Sequence, residues 1–399
     1  MKIVIVSTFY SEGMGYTENC LPKSLATLGH EVHVVTSNLN IYGNEKDFRK
    51  TYGTFLGSAD QGTGQFMTDN YTVHRLPSTT FLGYIYIKNL YSKIKELSPD
   101  IIHTTALAAF HTYRLSIFKP FFKYKLFAES HQHLSVVKPY LKNNKGFTLK
   151  KLVYQITRTL PSYLSSKAIE KCYAIAPDCA VVANKYYGVP KGKIKIQHLG
   201  TDTDLFRPAN TDYEQNNRAI LRKNLGYKED DIICIYTGRF SKDKNPLILA
   251  KAIDKLSSEG LPFHGLFIGE GVQIDEILSC NKIKVIPFVK HKTLADYYKI
   301  SDIAIWPTQE SMSMLDAASC GLPLIVSDKI GEYDRIEGNG KVYTEGNLIN
   351  LCEVLKSLIS KEERKKLGNV GRKKMIDSYS WIGLAKGIEK DYNYSVTYH

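Results

Sequence analysis

The sequence contains no uninterrupted apolar run of 18 or more residues, so no membrane-spanning helix is expected. It lacks the pattern of a secretory signal: MKIVIVS reads as a short apolar strand, and the mostly polar FYSEGMGYTEN follows soon after. Its seven cysteines are odd in number, scattered and without a CxxC pair. That excludes a disulfide framework, argues against a structural zinc site and points to a reduced, cytoplasmic compartment. There is no low-complexity tract and no short-period repeat, and 43% hydrophobic with 23% charged residues is ordinary globular composition. Acidic residues are scarce in one quarter only. Residues 101–200 hold sixteen Lys/Arg against three Asp/Glu, whereas the two signs balance in the rest of the chain. The net charge of +13 therefore sits in that quarter. It is either a lysine-rich solvated surface or a basic face for an acidic partner.

What is present is a strand and helix alternation that runs twice. At 399 residues the chain is long enough for two domains. In the first half, Lys2–Ser7, Glu31–Ser37, Tyr71–Leu76, Asp100–Thr104, Tyr124–Ala128 and Cys179–Ala183 read as short strands, with a helix over Glu18–Leu28 that Gly29 stops. The polar run Gly200–Asn216 reads as a linker. The pattern then restarts with strands at Asp231–Tyr236, His264–Ile268, Lys284–Phe288, Ile303–Trp306 and Leu324–Val326, a helix at Asn245–Leu256 and a charged helix at Lys361–Ser378. Such alternation predicts parallel sheets covered on both faces, with ligands beyond the carboxyl ends of the strands.

The residues that can carry chemistry stand just after strands. Glu12-Gly13-Met14-Gly15-Tyr16 follows the first, and glycines opening a helix allow a phosphate to approach backbone N–H groups. Thr237-Gly238-Arg239-Phe240-Ser241-Lys242-Asp243-Lys244 follows the strand that opens the second half. Its Arg239 and Lys244 are two cations able to neutralise a diphosphate leaving group without a metal. Pro307 to Pro323 carries two acids, Glu310 and Asp316, near a helix start. Each motif alone is also explained by capping or by a solvated loop.

Their joint order resembles the retaining GT-B glycosyltransferases of family 4 over nearly the whole chain. The matching pieces are the first glycine loop, Gly29-His30-Glu31-Val32, Pro99 to His103, Leu199 to Pro208, Gly238-Arg239 with Lys244, Gly269-Glu270-Gly271, Glu310 to Pro323 and Ser380-Trp381. The resemblance implies an α/β, GT-B fold: two Rossmann-like domains facing across a cleft, residues 1–205 and 206–378, with a C-terminal helix, 379–399, crossing back to the first. It implies a hexosyl transfer from a nucleoside diphosphate sugar, UDP-linked ahead of GDP-linked, to a saccharide or lipid-linked saccharide in bacterial surface polysaccharide synthesis. No metal, resident cofactor or nucleic acid is called for.

By the same resemblance, Arg239 and Lys244 hold the diphosphate, Glu310 contacts the donor sugar and Asp316 the ribose. His131 faces the sugar, with His133 as competitor. Gly13, Gly15, Gly238, Gly269, Phe288, Val289, Ser311, Met312, Ser313 and Met314 complete the donor site. The family's E-x7-E is shortened here to E-x5-D, and Leu199 stands where the family usually has Asn. A sugar-nucleotide 2-epimerase of the same fold is the alternative; nucleic-acid binding is a weaker one. Finally, Arg114, Lys119, Lys123, Lys125, Lys138, Lys142, Lys145, Lys150, Lys151 and Arg158 interleave with Phe118, Phe121, Phe122, Phe127, Tyr140 and Phe147, and Glu129 is the only acid in that stretch. The pattern predicts peripheral, salt-sensitive attachment to an anionic membrane surface.

Overall fold

Runs of β-branched residues separated by helices build two parallel sheets, one in each half of the chain. The computed structural model describes residues 1–43, 48–81, 83–141, 149–308, 310–331 and 333–398. Lys142, Lys145, Phe147, Gln309 and the side chain of Lys150 lie outside the described residues. The chain divides into two compact units, Met1–Leu199 with Leu384–His399, and Gly200–Gly383.

The first unit holds β1 (Lys2–Val6), β2 (Glu31–Ser37), β3 (Gly64–Thr68), β4 (Tyr71–Leu76), β5 (Ser78–Phe81), β6 (Tyr84–Ile87), β7 (Ile101–Thr104), β8 (Lys125–Ser130), β9 (Lys171–Ala174) and β10 (Ile194–Ile196). Eight of them form one sheet in the order β10-β9-β8-β7-β1-β2-β4-β3, parallel except for β3, which runs antiparallel to β4. The strands β5 and β6 make a separate hairpin. At the centre, β1 sets Ile3 against Val32 of β2 and Ile101 of β7. Ile3 to Val6 are fully buried, as a strand covered on both faces requires. The helix Trp381–Tyr398 contributes its residues from Leu384 onward to this unit. There Tyr392 is wholly buried with its hydroxyl 2.6 Å from His103 Nδ1, and Asp391 accepts from Lys171, Lys195 and Tyr173.

The second unit holds β11 (Ile232–Thr237), β12 (Phe263–Ile268), β13 (Ile283–Ile286), β14 (Ile303–Trp306), β15 (Leu324–Ser327) and β16 (Gly340–Tyr343). All are parallel, in the order β13-β12-β11-β14-β15-β16. The centre-out order places the carboxyl ends of β11 and β14 side by side. Helices Pro246–Ser258 and Leu348–Lys356 pack on the sheet through buried aliphatic residues such as Leu249, Ile253, Leu351 and Leu355.

Two expectations change. Cys179–Ala183 is not a strand but part of the helix Pro177–Lys185. Five apolar-rich residues fit either state, and Pro177 at the first helical position with Asp178 in the first turn decides for the helix. The run Gly200–Asn216 is not a free linker. Phe206 is fully buried against His291 and Tyr298, and its carbonyl accepts from Ser319 and Arg372. Thr211 and Glu214 form a reciprocal capping box that starts the helix Asp212–Asn224.

Candidate active site

In the second unit the loops after β11 and β12 are joined through their backbones. Gly238 N donates to Ile268 O, Phe240 N to Glu270 O, and Gln273 N to Phe240 O. Gly269 has φ +150°, and a Cβ there would fall 1.9 Å from the Gly238 carbonyl oxygen. Only glycine fits so close an approach. The Tyr236 hydroxyl donates to Arg239 O and Trp306 Nε1 to Thr237 O, so the loop is held from below. Arg239 is exposed and Lys244 half-buried at the start of Pro246–Ser258. Burial, and then the charge of Arg239, lower the Lys244 pKa against the opposing pull of Asp243 and Glu310. Two cations thus share one short loop and repel each other.

After β14 the chain runs to Glu310, whose backbone oxygen accepts from Lys244 Nζ at 3.4 Å. Thr308 Oγ1 donates to Asp243 O at 2.7 Å, tying the same two loops. The Glu310 carboxylate accepts from Gly331 N at 2.7 Å and pairs with the buried Arg335 at 3.3 Å. Ser311 and Met312 are partly buried ahead of the short helix Ser313–Ser319; Ser313 is partly buried at its start and Met314 fully buried within it. Phe288 and Val289 follow β13, both partly buried, with Val289 against the core. The structure therefore brings Gly238, Arg239, Lys244, Gly269 and Glu310 to one edge of the sheet.

Asp316, expected at the ribose, is buried and hydrogen-bonded within the second unit. It is 4% exposed; one oxygen accepts from Thr201 Oγ1 at 2.6 Å and the other lies 2.9 Å from His291 Nε2. A carboxylate so engaged braces the segment of Thr201 against the helix His291–Ile300.

In the first unit Gly13 adopts φ +77° after β1, and Gly15 precedes the helix Thr17–Thr27. His131 follows β8 and is one-third exposed, with Nε2 2.6 Å from Glu129 Oε2. Glu129 is buried between His131 and His103. Burial alone would raise its pKa, but the two histidine hydrogen bonds outweigh that and hold it at about 2. Burial works against the charge on His131, and the Glu129 hydrogen bond overcomes it, so the His131 pKa is raised. Glu18, in the first turn of Thr17–Thr27, is pushed to about 7 by burial, with the nearby Glu129 charge adding and His131 opposing. Sequence reasoning missed Glu18 and Glu129 as partners of His131. An acid in a first helical turn reads as dipole chemistry, and contacts across the sheet leave no local signal. His133 is half-exposed and paired with Asp178 at 3.1 Å. Among the described residues, His133, Asp178 and Cys179 form the one group of possible metal ligands, with ligand atoms within 4.8 Å.

The comparisons with known proteins bear on both units. A family model described as Glycosyl transferases group 1 matches residues 217–374, and one described as Glycosyltransferase Family 4 matches residues 21–205. Spore coat protein SA of Bacillus subtilis is 27% identical over 220 residues, covering 50% of this chain and 58% of that protein. The chain thus matches little more than half of that relative's length. A glycosyltransferase from Rickettsia africae superposes with a TM-score of 0.69 at 16% identity, covering 100% of this chain and 99% of the other. HepE of Anabaena in complex with UDP does so at 0.67 and 14%, covering 99% and 100%.

Proposed function

Since the chain belongs to the GT-B glycosyltransferases of group 1 and family 4, we propose that it transfers a hexosyl group from a nucleoside diphosphate sugar to a saccharide or lipid-linked saccharide acceptor, with retention of anomeric configuration. The observation that carries this reading is the loop pair of Arg239 and Lys244, fixed against Gly269 and Glu310 at the carboxyl edge of the second sheet. As the glycosyl–oxygen bond breaks, the sugar gains positive character and the leaving diphosphate gains negative charge. Two positioned cations meet that charge where it develops, and their mutual repulsion is relieved by the anion they bind. The acceptor hydroxyl attacks from the face the diphosphate leaves, and its proton passes to a departing phosphate oxygen. Glu310 orients the sugar hydroxyls, with Arg335 and Gly331 holding the carboxylate. The resemblance assigns a sugar-facing role to His131, which Glu129 sets within the first unit. Asp316 acts as a positioning residue through Thr201 and His291.

A uridine donor is favoured because HepE, of the same fold, has been solved with UDP and with UDP-glucose. WaaG, a glycosyltransferase involved in lipopolysaccharide biosynthesis, shares the fold at a TM-score of 0.64, which supports a role in surface polysaccharide synthesis. The test is a thermal-shift panel of nucleotide sugars followed by consumption assays with and without acceptor. A ligand at a hundred times its Kd stabilises by about 2.7 kcal/mol. Consumption of UDP-sugar only when an acceptor is present supports transfer. Conversion without acceptor to an epimer overturns it in favour of the 2-epimerase.

A further inference from the structure

The continuous helical segment 149–166 of the first unit runs as Leu149–Tyr154, a π turn at Gln155–Thr159, and Leu160–Ser166. It turns its polar side inward. Tyr154 stacks on Tyr140 and bonds the Tyr187 hydroxyl, Ser162 bonds the Tyr113 hydroxyl, and Arg158 lies over the Tyr84 ring. Its apolar side faces out: Leu149, Val153, Ile156, Leu160, Tyr163 and Leu164 are between 47% and 75% exposed. Steps of four, three, four and three join Leu149, Val153, Ile156, Leu160 and Tyr163, and Leu164 lies four beyond Leu160, so the six share one outward side about 22 Å long, which the π turn broadens. An apolar stripe of that length is left open to water only where something else covers it. The flanking charge is of one sign. Between Glu129 and Glu170 there is no Asp or Glu, and there are seven Lys/Arg. Of these, Lys138 and Lys167 are exposed.

Of the basic-aromatic surface expected from the sequence, Phe118, Phe121, Lys123 and Lys138 are exposed, while other members turn inward. Arg114 is buried, donating to Ile87 O and lying against Tyr86 and Tyr91, and Lys119 is paired with Glu170. Phe127 is core.

We propose that the Leu149–Leu164 stripe is a membrane-docking face that lies in the interface of an anionic bilayer. Its apolar side chains enter the acyl boundary, Tyr163 sits at headgroup level, and the exposed Lys138 and Lys167 meet the phosphates. No helix among the described residues is long and apolar enough to cross a membrane. The proposal stands apart from the donor chemistry, because its readout is lipid binding and not transfer.

The experiment is co-sedimentation of the full chain with phosphatidylglycerol-containing or pure phosphatidylcholine vesicles, at low and high salt. Sedimentation velocity follows the oligomeric state. The expected result is salt-sensitive binding to the anionic vesicles, reduced about tenfold or more in Ile156→Glu/Leu160→Glu, with the thermal shift by UDP unchanged. Should that variant lose its fold, Ile156→Ser and Lys138→Glu/Lys167→Glu carry the same reading. Equal binding to both lipids, no binding at low salt, or undiminished binding by the folded variants overturns the proposal. So does a self-association that these variants abolish while wild-type protein ignores vesicles, since the stripe would then be an interface between copies.

Discussion

Arg239 and Lys244 were legible as cations on a strand-to-helix loop because strand ends and loop charges are local features. What the sequence could not convey is that Glu18, Glu129, His103 and His131 meet, since β7, β8 and the helix Thr17–Thr27 are brought together only by the sheet. Arg114 misled for the same reason: Tyr86 and Tyr91, which enclose it, are more than twenty residues away. If the loop pair stabilises the leaving group, Arg239→Ala or Lys244→Ala lowers turnover about 100-fold or more with an unchanged melting temperature. Wild-type turnover in both variants would remove the diphosphate assignment. A second prediction concerns Glu18. Its folded pKa of about 7 lies above the ordinary carboxylate value, so the folded state holds the proton more tightly than the unfolded chain. The associated stability is present below pH 4.5 and is lost as pH rises through 7. Glu18→Gln keeps the neutral shape at every pH. The variant should match wild type at pH 4 and melt higher by roughly 5 °C or more at pH 8. Parallel melting profiles across pH 4–8 would show that Glu18 is not held protonated.

Among elements, the long periodic ones were read well and the short ones poorly. The helix Lys361–Ser378 and strands β1, β2 and β11 carry periodicity or β-branching over enough residues to decide. Strands β9, β10 and β16 span three or four residues and are defined by their parallel neighbours. The loops after β11 and β12 act as one element because glycine permits their backbones to touch. Gly269→Ala places a methyl group 1.9 Å from Gly238 O at a φ that L-residues rarely adopt. The loops must separate, moving Arg239 with them. Nucleotide affinity should fall at least about tenfold, well beyond the loss of stability. Titration of UDP by calorimetry checks this, and unchanged affinity would mean that the loops do not form the donor site.

At the scale of the whole molecule, the restart of the strand and helix pattern near residue 231 announced two sheets, but the membership of the segments between and after them had to come from packing. Phe206 draws the expected linker into the second unit, while Tyr392 and Asp391 draw the last helix into the first. That last contact is charged and aromatic, so its removal has a directional consequence. Ending the chain after Gly383 takes away Tyr392, which packs on Phe127 at 4.7 Å and reaches His103, and leaves Lys171 and Lys195 without Asp391. The cavity left by a buried tyrosine costs about 3 kcal/mol or more, and it falls in the first unit alone. Hydrogen exchange on the truncated chain should therefore show lost protection in β7, β8 and β9, with β11 to β15 as protected as in the full chain. Loss spread evenly over both sheets would mean that the two units do not unfold separately. If the His131–Glu129–His103 network depends on this helix, a truncated chain that still binds UDP through its second unit should have lost transfer, separating donor binding from catalysis in one molecule.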